Sequence, residues 1–186
     1  SNLKEKFRIA LNSTAKVISD DFELNKKNLE EKKNKDIISL EIDNITNPSD
    51  FIRLRAETDS SALKKKFSDD LIYKKNLPSN TSSRSLYNIA EKIRYEALGG
   101  QMLKGIEKNF HENYSQIINR KRKDQLKTKE DVPVAEAFEL YMLKNFHKIK
   151  LNQLTSRMLN FWEKDFEKSI EKHREFLLNN LEDQNT

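Results

Sequence analysis

Apolar residues recur every three or four positions along most of this chain, which is the spacing of one face of an α-helix. The first series runs from Leu3 to Ile18, and "TNPSDF" opens the second, because Pro48 suits a first helical turn. The pattern predicts helices over residues 3–18, 48–67, 83–117, 133–146 and 158–177. The segment "YKKNLPSNTSSRS" before the third helix is rich in Ser, Asn and Pro and predicts a loop.

A different pattern occupies the stretch between the first two helices. Phe22 and Leu24 alternate with polar neighbours, and so do Ile38, Leu40 and Ile42. Alternation over a few residues predicts short strands, here joined by the charged segment "NKKNLEEKKNK". We therefore predict a mainly α fold, an elongated multi-helix domain with a long glycine-interrupted helix and one small β-hairpin near the N-terminus. A single domain over residues 1–186 is expected.

All three glycines of the chain, Gly99, Gly100 and Gly105, lie inside the long predicted helix. Each costs roughly 1 kcal/mol relative to alanine there, so the cluster needs a reason. One interpretation is that Gly99 and Gly105 permit a kink or a close crossing by another segment; the other is a docking surface for a partner. Glycine inside a helix more often serves packing than recognition, and the packing interpretation predicts that Gly105→Leu destabilises the protein more than Gly100→Ala does.

Charge and composition narrow the functional classes. Residues 120–129 hold six basic side chains and one acidic one, a net +5 that equals the net charge of the whole chain. This run contains no aromatic side chain for base stacking, which favours a solvated helix end over a nucleic-acid site. The chain has no cysteine and no apolar run of about 20 residues, as expected of a cytoplasmic protein without disulfides or a membrane span.

Familiar catalytic and metal-binding motifs fail residue by residue. "GGQMLKG" lacks the Gly-Lys-Ser/Thr ending of a phosphate loop, and "HENYS" has Ser115 where a zinc helix needs its second histidine. In "DSSAL" Leu63 stands where a metal-ion-dependent adhesion motif needs a hydroxyl. We therefore predict no catalytic, cofactor-binding or metal site in this chain, and a helical interaction or scaffold domain.

The glycine segment "AEKIRYEALGGQMLKGIEKNFHENY" resembles the N-terminal region of the CobT-type subunit of aerobic cobaltochelatase. The family's Arg-x-Glu-Ala-Leu/Ile-Gly signature matches Arg94, Glu96 and Gly99, and its later positions match Gly105 and Asn109. Further blocks agree in order and place the candidate partner or structural residues at Asp59, Arg94, Glu96, Gly99, Gly105, Asn109 and Trp162. The family usually has histidine at position 68 and arginine at position 163, where this chain has serine and glutamate.

The resemblance implies a subunit that supports ATP-driven insertion of Co²⁺ into hydrogenobyrinic acid a,c-diamide in cobalamin biosynthesis. The implied partners are an AAA+ ATPase subunit and a large corrin-binding subunit, and the complex rather than this chain uses Co²⁺ and Mg-ATP. Family members continue into a von Willebrand A-type domain, so the chain is expected to be the N-terminal region of a longer subunit. The open alternatives are a magnesium-chelatase subunit, a homo-oligomer, and a basic nucleic-acid-binding or scaffold module.

Overall fold

The computed structural model describes residues 2–19, 42, 44–121, 126–179 and 183, with side chains omitted at residue 2 and after residue 171 inside the last helix. Their backbone forms two compact units, residues 1–66 and 67–186. The single-domain expectation stays a prediction. The helices are α1 (Asn2–Ser19), α2 (Pro48–Phe67), α3 (Asp70–Asn76), α4 (Thr81–Met102), α5 (Lys104–Arg120), α6 (Val134–Phe146), α7 (Gln153–Asn160) and α8 (Glu163–Asn179), with a 3₁₀ turn at Lys129–Asp131.

The mainly helical architecture is confirmed, whereas the predicted β-hairpin is not supported. The part of the chain that the structure describes contains no strand, and the hairpin segment from Phe22 to residue 41 lies outside it. Ile42, predicted to close the second strand, is helical. The four-residue spacing from Ile38 to Ile42 fits a helix as well as a strand, so alternation alone could not decide between them.

The core of the first unit joins the two predicted amphipathic helices. Leu11 of α1 and Leu54 of α2 form one buried cluster with Ile42 and Ile45, and the partly buried rings of Phe7 and Phe51 pack against it. The two rings meet edge to face, with centroids 4.8 Å apart. The burial of Ile42 therefore comes from its packing against α1 and α2.

The start of α2 follows the pattern that the sequence predicts. Asn47 precedes Pro48, and the Asn47 side chain accepts a hydrogen bond from the Asp50 N–H at 3.2 Å. The Asp50 carboxylate in turn accepts hydrogen bonds from the Thr46 and Asn47 N–H groups, at 3.2 and 3.3 Å. These backbone donors lower the pKa of Asp50 below its usual value, the bond from Thr46 most of all.

Helix α6 is the centre of the second unit, where α4, α7 and α8 pack against it. It is buried over much of its circumference, as its largely apolar sequence "AFELYML" requires. The sequence predicted one helix over residues 158–177, but α7 ends at Asn160 and α8 begins at Glu163. A turn at Phe161 and Trp162 separates them, closed by the Trp162 N–H on the Leu159 carbonyl at 2.9 Å.

The long glycine-interrupted helix is in fact two helices. α4 ends at Met102 and α5 begins at Lys104, and Leu103 between them has an extended backbone with φ −138° and ψ 111°. Residues on the two sides of the break contact each other in reverse order, Gly100 near Glu107 and Glu96 with Tyr114. α5 therefore folds back along α4, and this reversal positions the candidate site.

Candidate functional site

The carboxylate of Glu96 is the centre of a buried polar cluster in the second unit. Glu96 is 1% exposed, and its Oε2 accepts a hydrogen bond from the Tyr114 hydroxyl at 2.6 Å. Nε2 of His147 lies 3.4 Å from the same oxygen, and Nζ of Lys92 lies 3.9 Å from Oε1. A buried carboxylate is costly unless such groups compensate it, so α4, α5 and the end of α6 are joined by one polar contact set.

Tyr114 donates to this cluster as a neutral phenol. Burial raises its pKa well above the usual value of 10.0, and the negative charge of Glu96 and the hydrogen bond to it act in the same direction. The imidazole of His147 packs over the rings of Phe110 and Tyr114, with centroids 5.9 and 5.6 Å apart. The hydroxyl therefore keeps its proton, and the donor to Glu96 is present throughout the physiological pH range.

The raised pKa of Tyr114 predicts how the stability of the protein changes at high pH. Because this pKa is higher in the folded chain than in the unfolded one, the contribution of Tyr114 to the free energy of unfolding is complete below about pH 10. That contribution is lost as the pH rises towards the folded pKa. We expect the free energy of unfolding of the parent to fall more steeply above pH 10 than that of Tyr114→Phe. Urea unfolding at pH 8, 9.5 and 10.5 measures this, and parallel profiles would contradict it.

The C-terminal end of α6 places His147 beside Glu96, and a left-handed turn follows it. His147 caps the helix, and both its N–H and that of Ile149 donate to the Leu143 carbonyl, at 3.2 and 3.1 Å. Lys148 between them has φ 56°, the conformation that glycine usually supplies at this position. Ile149, which follows the turn, is buried.

The strain at Lys148 gives a prediction of increased stability. A non-glycine residue in the left-handed region costs roughly 1–2 kcal/mol, which glycine avoids at some cost in unfolded-chain entropy. We expect Lys148→Gly to be about 1 kcal/mol more stable than Lys148→Ala by thermal melts. The alanine variant is the matched control, because both lose the bond from Lys148 Nζ to the Asn145 carbonyl. A glycine variant no more stable than the alanine variant would refute the strain argument.

Arg94 holds a second, separate polar network. Its guanidinium donates to both carboxylate oxygens of Glu91, at 2.8 and 2.9 Å, and to the Phe67 carbonyl at 2.6 Å. Ser68, which stands where the family usually has histidine, donates its hydroxyl to Glu91 at 2.6 Å. The departure from the family pattern therefore retains a hydrogen-bond donor at this position.

The glycines divide between a packed and an open position. Gly99 is buried, and its carbonyl accepts the Leu103 N–H at 3.0 Å. A Cβ added at Gly100 would lie 3.4 Å from the Glu107 Cβ, whereas one added at Gly105 would meet nothing within 4 Å. The expected close crossing at Gly105 is therefore wrong, and Gly100 marks the close approach. The apolar side chains exposed at the break are Met102, at 47%, and Leu103, at 44%.

The remaining predicted residues lie elsewhere. Asp59 is buried in α2 of the first unit, and Asn109 is half-buried on α5. Trp162 donates its indole N–H to the Val132 carbonyl at 3.1 Å, and Lys129 Nζ lies 4.2 Å from the centroid of its ring. Trp162 is therefore engaged with its own chain.

Basic side chains at the edges of residues 120–129 form ion pairs. Lys121 lies 3.3 Å from Glu136, and Lys129 pairs with Asp165. Residues 122–125 lie outside the described residues. At position 163, where the family usually has arginine, Glu163 accepts from Lys144 at 2.6 Å. These pairs favour a solvated protein surface over a phosphate-binding one for the lysines that the structure describes.

Sequence reasoning missed the function of His147 and Lys148 within the fold. His147 is 51 positions from its partner Glu96, and the left-handed turn carries lysine where glycine would have signalled it. The described residues contain no group of three or more His, Cys, Asp or Glu side chains that could hold a metal ion. None of the helices described is both long and apolar enough to cross a membrane.

Comparison with known proteins identifies the family. The family model of the cobalamin biosynthesis protein CobT matches residues 1–186, whereas neither the curated proteins nor the solved structures give a match. The resemblance carried by Arg94, Glu96 and Gly99 is thereby confirmed. Because the family model matches the chain from its first residue to its last, this chain belongs to the family of the cobalamin biosynthesis protein CobT.

Proposed function

We propose that this chain, whose family acts in cobalamin biosynthesis, is a non-catalytic assembly region of a cobaltochelatase subunit in the cytoplasm. The observation that supports this role is how the two charged residues of the family signature are used. Glu96 is committed to Tyr114 and His147, and Arg94 to Glu91 and a backbone carbonyl. Because both side chains contact groups of their own chain, they are suited to stabilising a helical scaffold rather than to binding a corrin or Co²⁺.

The proposed partners follow from the family. We infer that the chain contacts the AAA+ ATPase subunit, and that the large subunit of the complex holds the corrin, hydrogenobyrinic acid a,c-diamide. In this proposal the complex uses Mg-ATP and inserts Co²⁺ as substrate, and the present chain carries the conformational change between subunits. The helix surfaces are long enough for an interface of standard size, about 800 Å² per partner.

Capture of the purified chain on the immobilised cognate AAA+ subunit tests this proposal. We expect retention to differ between ATP and ADP, because a subunit that transmits the ATPase cycle must bind its two states unequally. A chain that melts cooperatively, and is therefore folded, yet is retained with neither nucleotide would contradict the ATPase contact. Retention by the ATPase subunit of a magnesium chelatase instead would favour that alternative over the cobalt enzyme.

Aspartate substitutions at exposed apolar side chains would then locate the contact. Because these side chains are exposed, we expect the substitutions to leave the fold unchanged, so lost capture with an unchanged melting temperature reports on the partner rather than on folding. Leu103→Asp at the helix break and Leu71→Asp on α3 form a matched pair, since both replace an exposed leucine of the second unit. Among the residues that the structure describes, the exposed large apolar side chains are Leu3, Ile9, Val17, Leu71, Met102, Leu103 and Ile117.

A further inference from the structure

We draw no further inference here: the strongest candidate, the apolar surface patch that Met102 and Leu103 form at the break between α4 and α5, carries nothing further because nothing in the structure shows what covers it.

Discussion

Replacing Glu96 with alanine should lower the free energy of unfolding by about 3 kcal/mol. The substitution removes the acceptor of the Tyr114 hydroxyl, which is buried. An unsatisfied buried donor costs roughly 1–3 kcal/mol, and the cavity left by the lost side chain adds to that. Because α4, α5 and the end of α6 meet at this carboxylate, the loss loosens three elements of the second unit at once.

Chemical denaturation of Glu96→Ala and of Glu112→Ala separates this effect from the general cost of removing a glutamate. Glu112 lies on the surface of α5, where its contact with Lys108 is 3.8 Å long and exposed, so its removal should change stability by less than about 0.5 kcal/mol. Tyr114→Phe, which removes only the donor, should cost roughly 1–2 kcal/mol. Equal stabilities of the two alanine variants would show that Glu96 does not hold the cluster together.

The starts of several helices could be predicted, because they depend on neighbouring residues. Pro48 and Asn47 mark the start of α2, and Asn80 caps α4 by accepting the Ser83 N–H at 2.8 Å, within two residues of the predicted start. Asp69 caps α3 by accepting from the N–H groups of Leu71 and Ile72. Such contacts span two to four positions, so the pattern of residue types contains them completely.

Features that depend on distant residues could not be predicted in this way. Apolar residues keep the helical spacing on both sides of the break, because α4 and α5 each bury one face, with Leu98 buried before the break and Ile106 and Phe110 buried after it. Only the contact of Glu107 with Gly100, and of Tyr114 with Glu96, requires the chain to reverse there. Periodicity reports which face is buried and not what buries it, so one long helix and two folded-back helices give the same pattern.

The candidate site shows the same limit from the functional side. The family signature points to Arg94 and Glu96, but it could not say that both side chains make contacts inside the chain. His147 lies beside Glu96 from 51 positions away, and Ser68 donates to Glu91 from 23 positions away. A resemblance identifies important positions, whereas burial and hydrogen bonding decide whether a charged side chain serves the fold or a ligand.

Replacing Gly100 with residues of increasing size should reveal how closely α5 folds back on α4. Neither Gly100 nor Gly105 has a positive φ, so each can accept a side chain without backbone strain. At Gly100 an alanine Cβ would make ordinary contact with Glu107 and should be tolerated, whereas leucine must displace the first turns of α5. We expect Gly100→Leu to be about 1–3 kcal/mol less stable than Gly100→Ala, the usual cost of overpacking.

Gly105 supplies the control for the same pair of substitutions, because it is exposed and faces open space. Gly105→Ala and Gly105→Leu should each be as stable as the parent or up to about 1 kcal/mol more stable, since both residues favour a helix more than glycine does. Thermal melts of the four variants therefore isolate side-chain size at Gly100 from helix propensity. If the Gly100→Leu and Gly100→Ala variants were equally stable, α4 and α5 would not approach each other closely at position 100.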